Sequence, residues 1–423
     1  MITEQRIDYY IGILKDELVP AMGCTEPIAI AYASAKARAT LGSFPTSCDI
    51  AVSGNIIKNA KSVVVPHTGG MKGIEAAVVA GIVGGNSEAR LEVLSFVSNE
   101  DINRMQKVIR TMPVNVSLSE SDYPFDIIVT VRDGRNSATV RIINRHTNIV
   151  SISKNGKTLY QGDIDEAIEI KKKDLSIEEI VEFANSVDID LVRSTLKRQI
   201  DFNMAIAEAG LKGNYGANIG KVYLESYLPD ISVKAKAYAA AGSDARMNGC
   251  AMPVVILSGS GNQGMTASLP VITYAEEQGR SREELLRALV VSDLCTIHLK
   301  TYIGRLSAFC GAVCAGAGAG AGICFLEGGR MREVAHTLVN ALGISSGIVC
   351  DGAKASCAGK IALAVEAGIL GWEMFKYGKQ FYSGEGIVTK GVENTIRNVG
   401  ILGHDGMRAT DRTIMEIMLK KMC

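Results

Sequence analysis

Leu306-Ser307-Ala308-Phe309-Cys310-Gly311-Ala312-Val313-Cys314-Ala315-Gly316-Ala317-Gly318-Ala319-Gly320-Ala321-Gly322-Ile323-Cys324-Phe325-Leu326 is the stretch on which the fold turns. No charge interrupts it, and it is long enough to cross a bilayer. Glycine and alanine dominate it, however, and they contribute little transfer energy to a membrane. The segments around it are strongly polar. The run therefore predicts a buried helix whose neighbours approach it backbone to backbone.

The rest of the chain supports that reading. Of 423 residues, 44 are glycine and only 5% are aromatic, so small and aliphatic side chains must fill the core. The length predicts two or three domains. Beyond Lys171 the pattern is mostly helical. Ser176 with Glu179 and Ser281 with Glu284 have the spacing of capping boxes, where a hydroxyl and a carboxylate satisfy orphan amides at a helix start. Tyr9 to Arg38 reads as helix on either side of a break at Gly23–Pro27. Asp49–Ser53 and Ser62–Pro66 read as short buried strands, and Met71–Val83 as a core helix.

From Glu88 to Gly162 the texture changes. A helix over Asp101–Arg110 precedes four stretches rich in Val, Ile and Thr: Phe125–Val131, Ser137–Ile143, Asn148–Ser153 and Lys157–Tyr160. Asp133-Gly134 and Asn155-Gly156 mark hairpin turns, because glycine tolerates the positive φ those turns need. The expected fold is α+β: a mostly helical catalytic domain over 1–87 and 166–423, with a β-rich α+β module inserted over 88–165.

Charge excludes some functions. Lys+Arg and Asp+Glu are each 45, so nothing favours a nucleic acid or an acidic membrane as partner. Met1–Leu18 lacks an apolar signal core, which predicts a cytoplasmic chain. In that reducing compartment the ten cysteines are expected as metal ligands, catalytic groups or buried thiols rather than disulfides. Cys310 and Cys314 share a helix face, Cys350 and Cys357 bracket a loop with Gly352 and Lys354, and Cys24 stands alone in a turn. On spacing alone, small apolar fillers is the better reading for Cys310, Cys314 and Cys324. Gly259-Ser260-Gly261-Asn262-Gln263-Gly264 has the letters of a dinucleotide fingerprint. Pro270 falls where its helix should continue, and no second parallel strand follows, so NAD is not expected. The turn's amides suit a smaller anion, such as a substrate carboxylate, through Ser260 and Asn262, and a plain structural turn reads equally well. Asn55 and Lys58, after a short strand, can also face a substrate, although a capped strand-to-helix turn is the better reading of that segment. His67, His146, His298, His336 and His404 form no metal pattern and read as surface or satisfied core residues.

Ala21–Pro27, Lys58-Asn59-Ala60, Gly304–Gly311, Val349–Cys357 and Gly406-Met407 together resemble the iron–sulfur L-cysteine desulfidase family, which is related to the α chain of bacterial L-serine dehydratases. The resemblance spans nearly the whole chain and is weakest in the β-rich module. It implies a [4Fe–4S] cluster on Cys310, Cys350 and Cys357, and a role in activity for Cys24. It implies conversion of a small amino-acid substrate, L-cysteine, to sulfide, ammonia and pyruvate without pyridoxal phosphate. L-serine dehydration on the same site is the alternative enzyme, and a non-enzymatic iron–sulfur redox sensor the alternative outside catalysis. Cys423 is a further candidate, as a thiolate cap on an open iron. A homo-oligomer is left open, as is the role of the module.

Overall fold

The structure is a computed structural model that describes residues 2–164 and 172–420. The fold is α+β. Its helical body is organised on the run quoted above, of which Gly311–Leu326 is helical and wholly buried apart from its first residue. Leu306–Cys310 is not helical but forms the approach to it. Among the described residues, no helix is long and apolar enough to cross a membrane.

Glycine sets the packing of this helix. A Cβ on Gly316 would strike Ala364, and one on Gly320 would strike Gly368, both on the Cys357–Lys376 helix. On the opposite side, Gly318 and Gly322 face Ser292, Thr296 and Ala288 of the Arg282–Ile303 helix. Residue numbers at the first contact rise together along both helices, so the two run in the same direction. Their N-termini therefore lie side by side, and a cysteine stands at each: Cys310 caps one helix and Cys357 opens the other.

The sheet is six-stranded, in the order Val114–Leu118, Ser47–Val52, Asp126–Arg132, Ser137–Ile143, Ile149–Lys154, Lys157–Gln161. The first pair is parallel and the others are antiparallel. Asn155 and Gly156 both take positive φ in their hairpin turn, as expected, and so does Gly134 in the other. Ser47–Val52 sits between strands that follow it by more than 60 residues, so the sheet draws on sequence before residue 88 as well as on 88–165. The Thr25–Leu41 helix packs against three of its strands. Val114–Leu118 is an additional strand that the sequence pattern did not reveal. Its alternation is weak because it lies on an edge and four of its five residues are exposed.

Other local expectations needed revision. The first helix ends at Glu17 and the second begins at Thr25, so Pro27 lies in a first helical turn, where its missing N–H leaves no bond unmade. Ser62–Pro66 is not a strand; it makes one isolated bridge, Val64 to Lys72. Ser281 and Glu284 form a reciprocal capping box, whereas Ser176 caps alone because Glu179 is held by Arg6. Pro270 lies inside a continuous helix, Gly261–Glu277, rather than ending it.

Candidate functional site

A short ladder begins the site. Pro20–Met22 pairs antiparallel with Pro253–Val255. This brings the turn after one strand against the turn after the other: Thr25 Oγ1 donates to the Gly259 carbonyl at 2.9 Å. Cys24 and the Ser258–Gln263 turn thus face one cavity. A second link closes the opposite side. Phe309 and Val349 form an antiparallel bridge, the Cys310 N–H donates to Ile348 O at 3.1 Å, and the Cys350 N–H donates to Ala308 O at 2.6 Å. Cys350 is thereby carried alongside Cys310.

The resulting cavity, about 110 Å³, is lined by Cys24, Cys310, Cys350 and Cys357 together. Cys357 packs against the small buried cluster of Cys24, Val63 and Met247. Gly352 holds the Cys350 loop close, since a Cβ there would strike the Lys58 carbonyl and its φ is +97°. Cys314 is fully buried on the helix and does not line the cavity, and neither do Cys295 and Cys324. Ser260 and Asn262 also line it. Asn55 and Lys58 do not. They line an adjoining cavity of about 520 Å³, and Lys58 Nζ is paired with Asp411 at 2.5 Å. Cys423 lies outside the described residues.

Burial pushes the Cys310 thiol up to about 12, with the neighbouring Cys350 adding to it, and raises Cys357 as well. Burial also raises Cys24, helped by Glu26, whose Oε2 accepts from Cys24 Sγ at 3.4 Å. The cation that opposes this is Arg246, rather than Lys58 or Lys354: Lys354 is committed to Asp351. Glu26 Oε1 accepts from Asn59 at 3.1 Å.

The remaining walls hold residues the sequence did not announce: Glu26, His146, Arg246, Gln263, Lys300 and Arg305. His146 comes from the β-sheet side. It is neither a surface nor a satisfied core residue: its Nε2 is buried with no partner, and its ring packs edge-on against Phe125 at 4.8 Å. Burial lowers it to about 4, so it is neutral at neutral pH. Arg246 Nη1 donates to Asn262 Oδ1 at 3.1 Å, while its Nε and Nη2 are buried without acceptors. Gln263 Oε1 is likewise buried without a donor. Burial pulls Lys300 down, against the Cys314, Cys350 and Cys310 sulfurs that favour its charge. Arg305 is anchored by Glu17 at 3.1 Å.

Residues 88–416 match the family model of the serine dehydratase alpha chain. The chain belongs to that family. It is 57% identical to a UPF0597 protein of Desulfitobacterium hafniense, over 100% of this chain and 99% of that one. UPF0597 proteins of Finegoldia magna and Treponema denticola are 47% and 43% identical, each over 97% or more of both chains. The serine dehydratase alpha-chain match runs through the β-strands from Val114 onward as well as the helical body, so it takes in His146 together with Cys310, Cys350 and Cys357. Cys24 lies before it. Among the described residues of this family member, no three His, Cys, Asp or Glu side chains gather tightly enough for a single metal ion. The thiols are instead spread around a cavity.

Proposed function

We propose that this chain is an iron–sulfur lyase that eliminates sulfide from L-cysteine, leaving ammonia and pyruvate. The observation that carries the reading is the meeting of Cys24, Cys310, Cys350 and Cys357 on one cavity. A [4Fe–4S] cluster fits this donor set. It takes thiolate ligands and needs them spread around it rather than gathered on one point. Two of the three candidate ligands stand at helix N-termini, where the helix dipole favours negative sulfur. Cys310, Cys350 and Cys357 would hold the cluster. When bound through three thiolates, it supplies an open Lewis-acidic iron that stabilises negative charge on the departing sulfur.

The chain's own residues do the rest. Cys24 removes the α-proton, with Glu26 as the acceptor its S–H already faces. Ser260, Asn262 and the amides that open the Gly261–Glu277 helix orient the substrate. The buried Phe125 and Phe309 help keep water out. Loss of the β-sulfur leaves an aminoacrylate, which hydrolyses to pyruvate and ammonia. No step calls for pyridoxal phosphate or NAD.

The family's name favours L-serine as the competing substrate. Anaerobic turnover of L-cysteine against L-serine, read as pyruvate on protein of measured iron content, decides between them. Faster release from L-cysteine is expected. Preference for L-serine assigns the site to dehydration, and no pyruvate from either overturns the lyase reading.

A further inference from the structure

The cavity wall that holds Arg246 and Gln263 carries charge and hydrogen-bonding capacity that nothing in the protein satisfies. Arg246 is 2% exposed, yet its Nε and Nη2 have no acceptor. A Cβ on Gly261 would lie 2.7 Å from Arg246 Cζ, so the guanidinium rests on the backbone where the Gly261–Glu277 helix begins. The first amides of a helix have no intrahelical carbonyl to bond. The Ser260 side chain does not cap them. Buried donors thus meet buried donors, with only Asn262 Oδ1 between them. Such an arrangement is costly when empty, because an unsatisfied buried donor forfeits its hydration without a partner in return, and a charged one forfeits more. A planar anion with two oxygens relieves it.

The complementary defect lies on the same helical turn. Gln263 is 5% exposed and its Oε1 has no donor. A Cβ on Gly311 would fall 2.6 Å from the Gln263 amide carbon, which places this acceptor beside the residue that follows Cys310. Glu26 adds negative charge to the same cavity.

We infer that Arg246 and Gln263 recognise the two charged ends of an intact α-amino acid, Arg246 the carboxylate and Gln263 the ammonium. The inference rests on the reading that this cavity is where the substrate reacts, and it names what selects that substrate. The carboxylate lies across Arg246 Nε and Nη2, a fork that matches two carboxylate oxygens. The ammonium donates to Gln263 Oε1. The side chain of the amino acid is then left for the thiol-lined end. Molecules with only one of the two charged groups bind poorly, whatever their leaving group.

The test uses ligands that cannot react. Calorimetry under anaerobic conditions compares L-alanine, propionate and ethylammonium on the wild-type protein, Arg246→Gln and Gln263→Leu. Wild type should bind L-alanine about tenfold or more tighter than either fragment. Arg246→Gln should weaken L-alanine and propionate about tenfold or more and leave ethylammonium unchanged. Gln263→Leu should do the reverse, weakening ethylammonium and sparing propionate. A folded Arg246→Gln protein that binds L-alanine as wild type does overturns the assignment. So does wild type that binds propionate as tightly as L-alanine, or that does not bind L-alanine. If Arg246→Gln does not fold, Arg246→Lys keeps the charge and loses the fork. Propionate should then weaken while ethylammonium holds, and unchanged propionate binding overturns the carboxylate assignment. No turnover is read, so a protein that prefers L-serine, or releases no pyruvate at all, leaves this result standing.

Discussion

The two sides of the cavity are built by opposite means. On the thiol side, Cys310 and Cys357 stand at the starts of two helices pressed together through Gly316, Gly320 and Gly368. Neither of those two thiols can be shifted without moving a helix. On the sheet side, His146 reaches the cavity from the turn between two strands, beside Asn144 at a φ of +62°. Its ring packs edge-on against Phe125 and lies close to Gly259, and it is not carried on a helix. The thiol side is suited to holding a large rigid group in place. The sheet side is suited to presenting a single polar atom to whatever that group binds.

Substitutions on the two sides should therefore separate iron content from turnover. Cys350→Ser has the largest expected effect: most of the iron is lost and activity goes with it, measured by iron analysis of anaerobically prepared protein. Iron retained at the wild-type level would remove the thiol side's claim to the cluster. Cys24→Ala should lower turnover by about 10²–10⁴, as expected for loss of a general base, while iron content is largely kept. Parallel loss of both would make Cys24 a ligand instead.

His146→Asn probes the other side. Turnover should drop by about tenfold, the scale of one lost hydrogen bond to the reacting molecule, with iron and melting temperature unchanged. A fall in iron content would show that the sides are not independent. Gly320→Ala, far from the chemistry, tests the helix packing itself. Its added methyl meets the Gly368 backbone, and overpacking of this kind destabilises by about 1–3 kcal/mol. Thermal unfolding of the variant should show it, and an unchanged midpoint would mean the helices have room to give.

The sequence disclosed these two sides unequally. Glycine at alternate positions from Gly316 to Gly322 already demanded close helix packing, and a motif resemblance singled out Cys310, Cys350 and Cys357. Asp133-Gly134 and Asn155-Gly156 placed the hairpins because a turn is a local event. The central position of Ser47–Val52 was not legible, because pairing with strands far along the chain leaves no local mark. Arg246 ends an alanine-rich helix, where a basic residue reads as a partner for the helix dipole. His146 sits in a turn, where a histidine reads as solvated. Only the fold shows that both point inward with atoms unsatisfied. Lys58 failed in the other direction: its polar turn looked available, but Asp411 occupies it.

That last pair bears on how the protein is made. Lys58 is buried, its carbonyl backs the Cys350 loop at Gly352, and its counter-charge lies 353 residues further along. On the ribosome, Lys58 emerges long before Asp411. Until the Arg408–Lys420 helix arrives, its ammonium has to stay in water. Neutralising this buried ammonium is thus tied to the arrival of Asp411, and a nascent chain stalled short of it should leave the Lys58 ammonium hydrated.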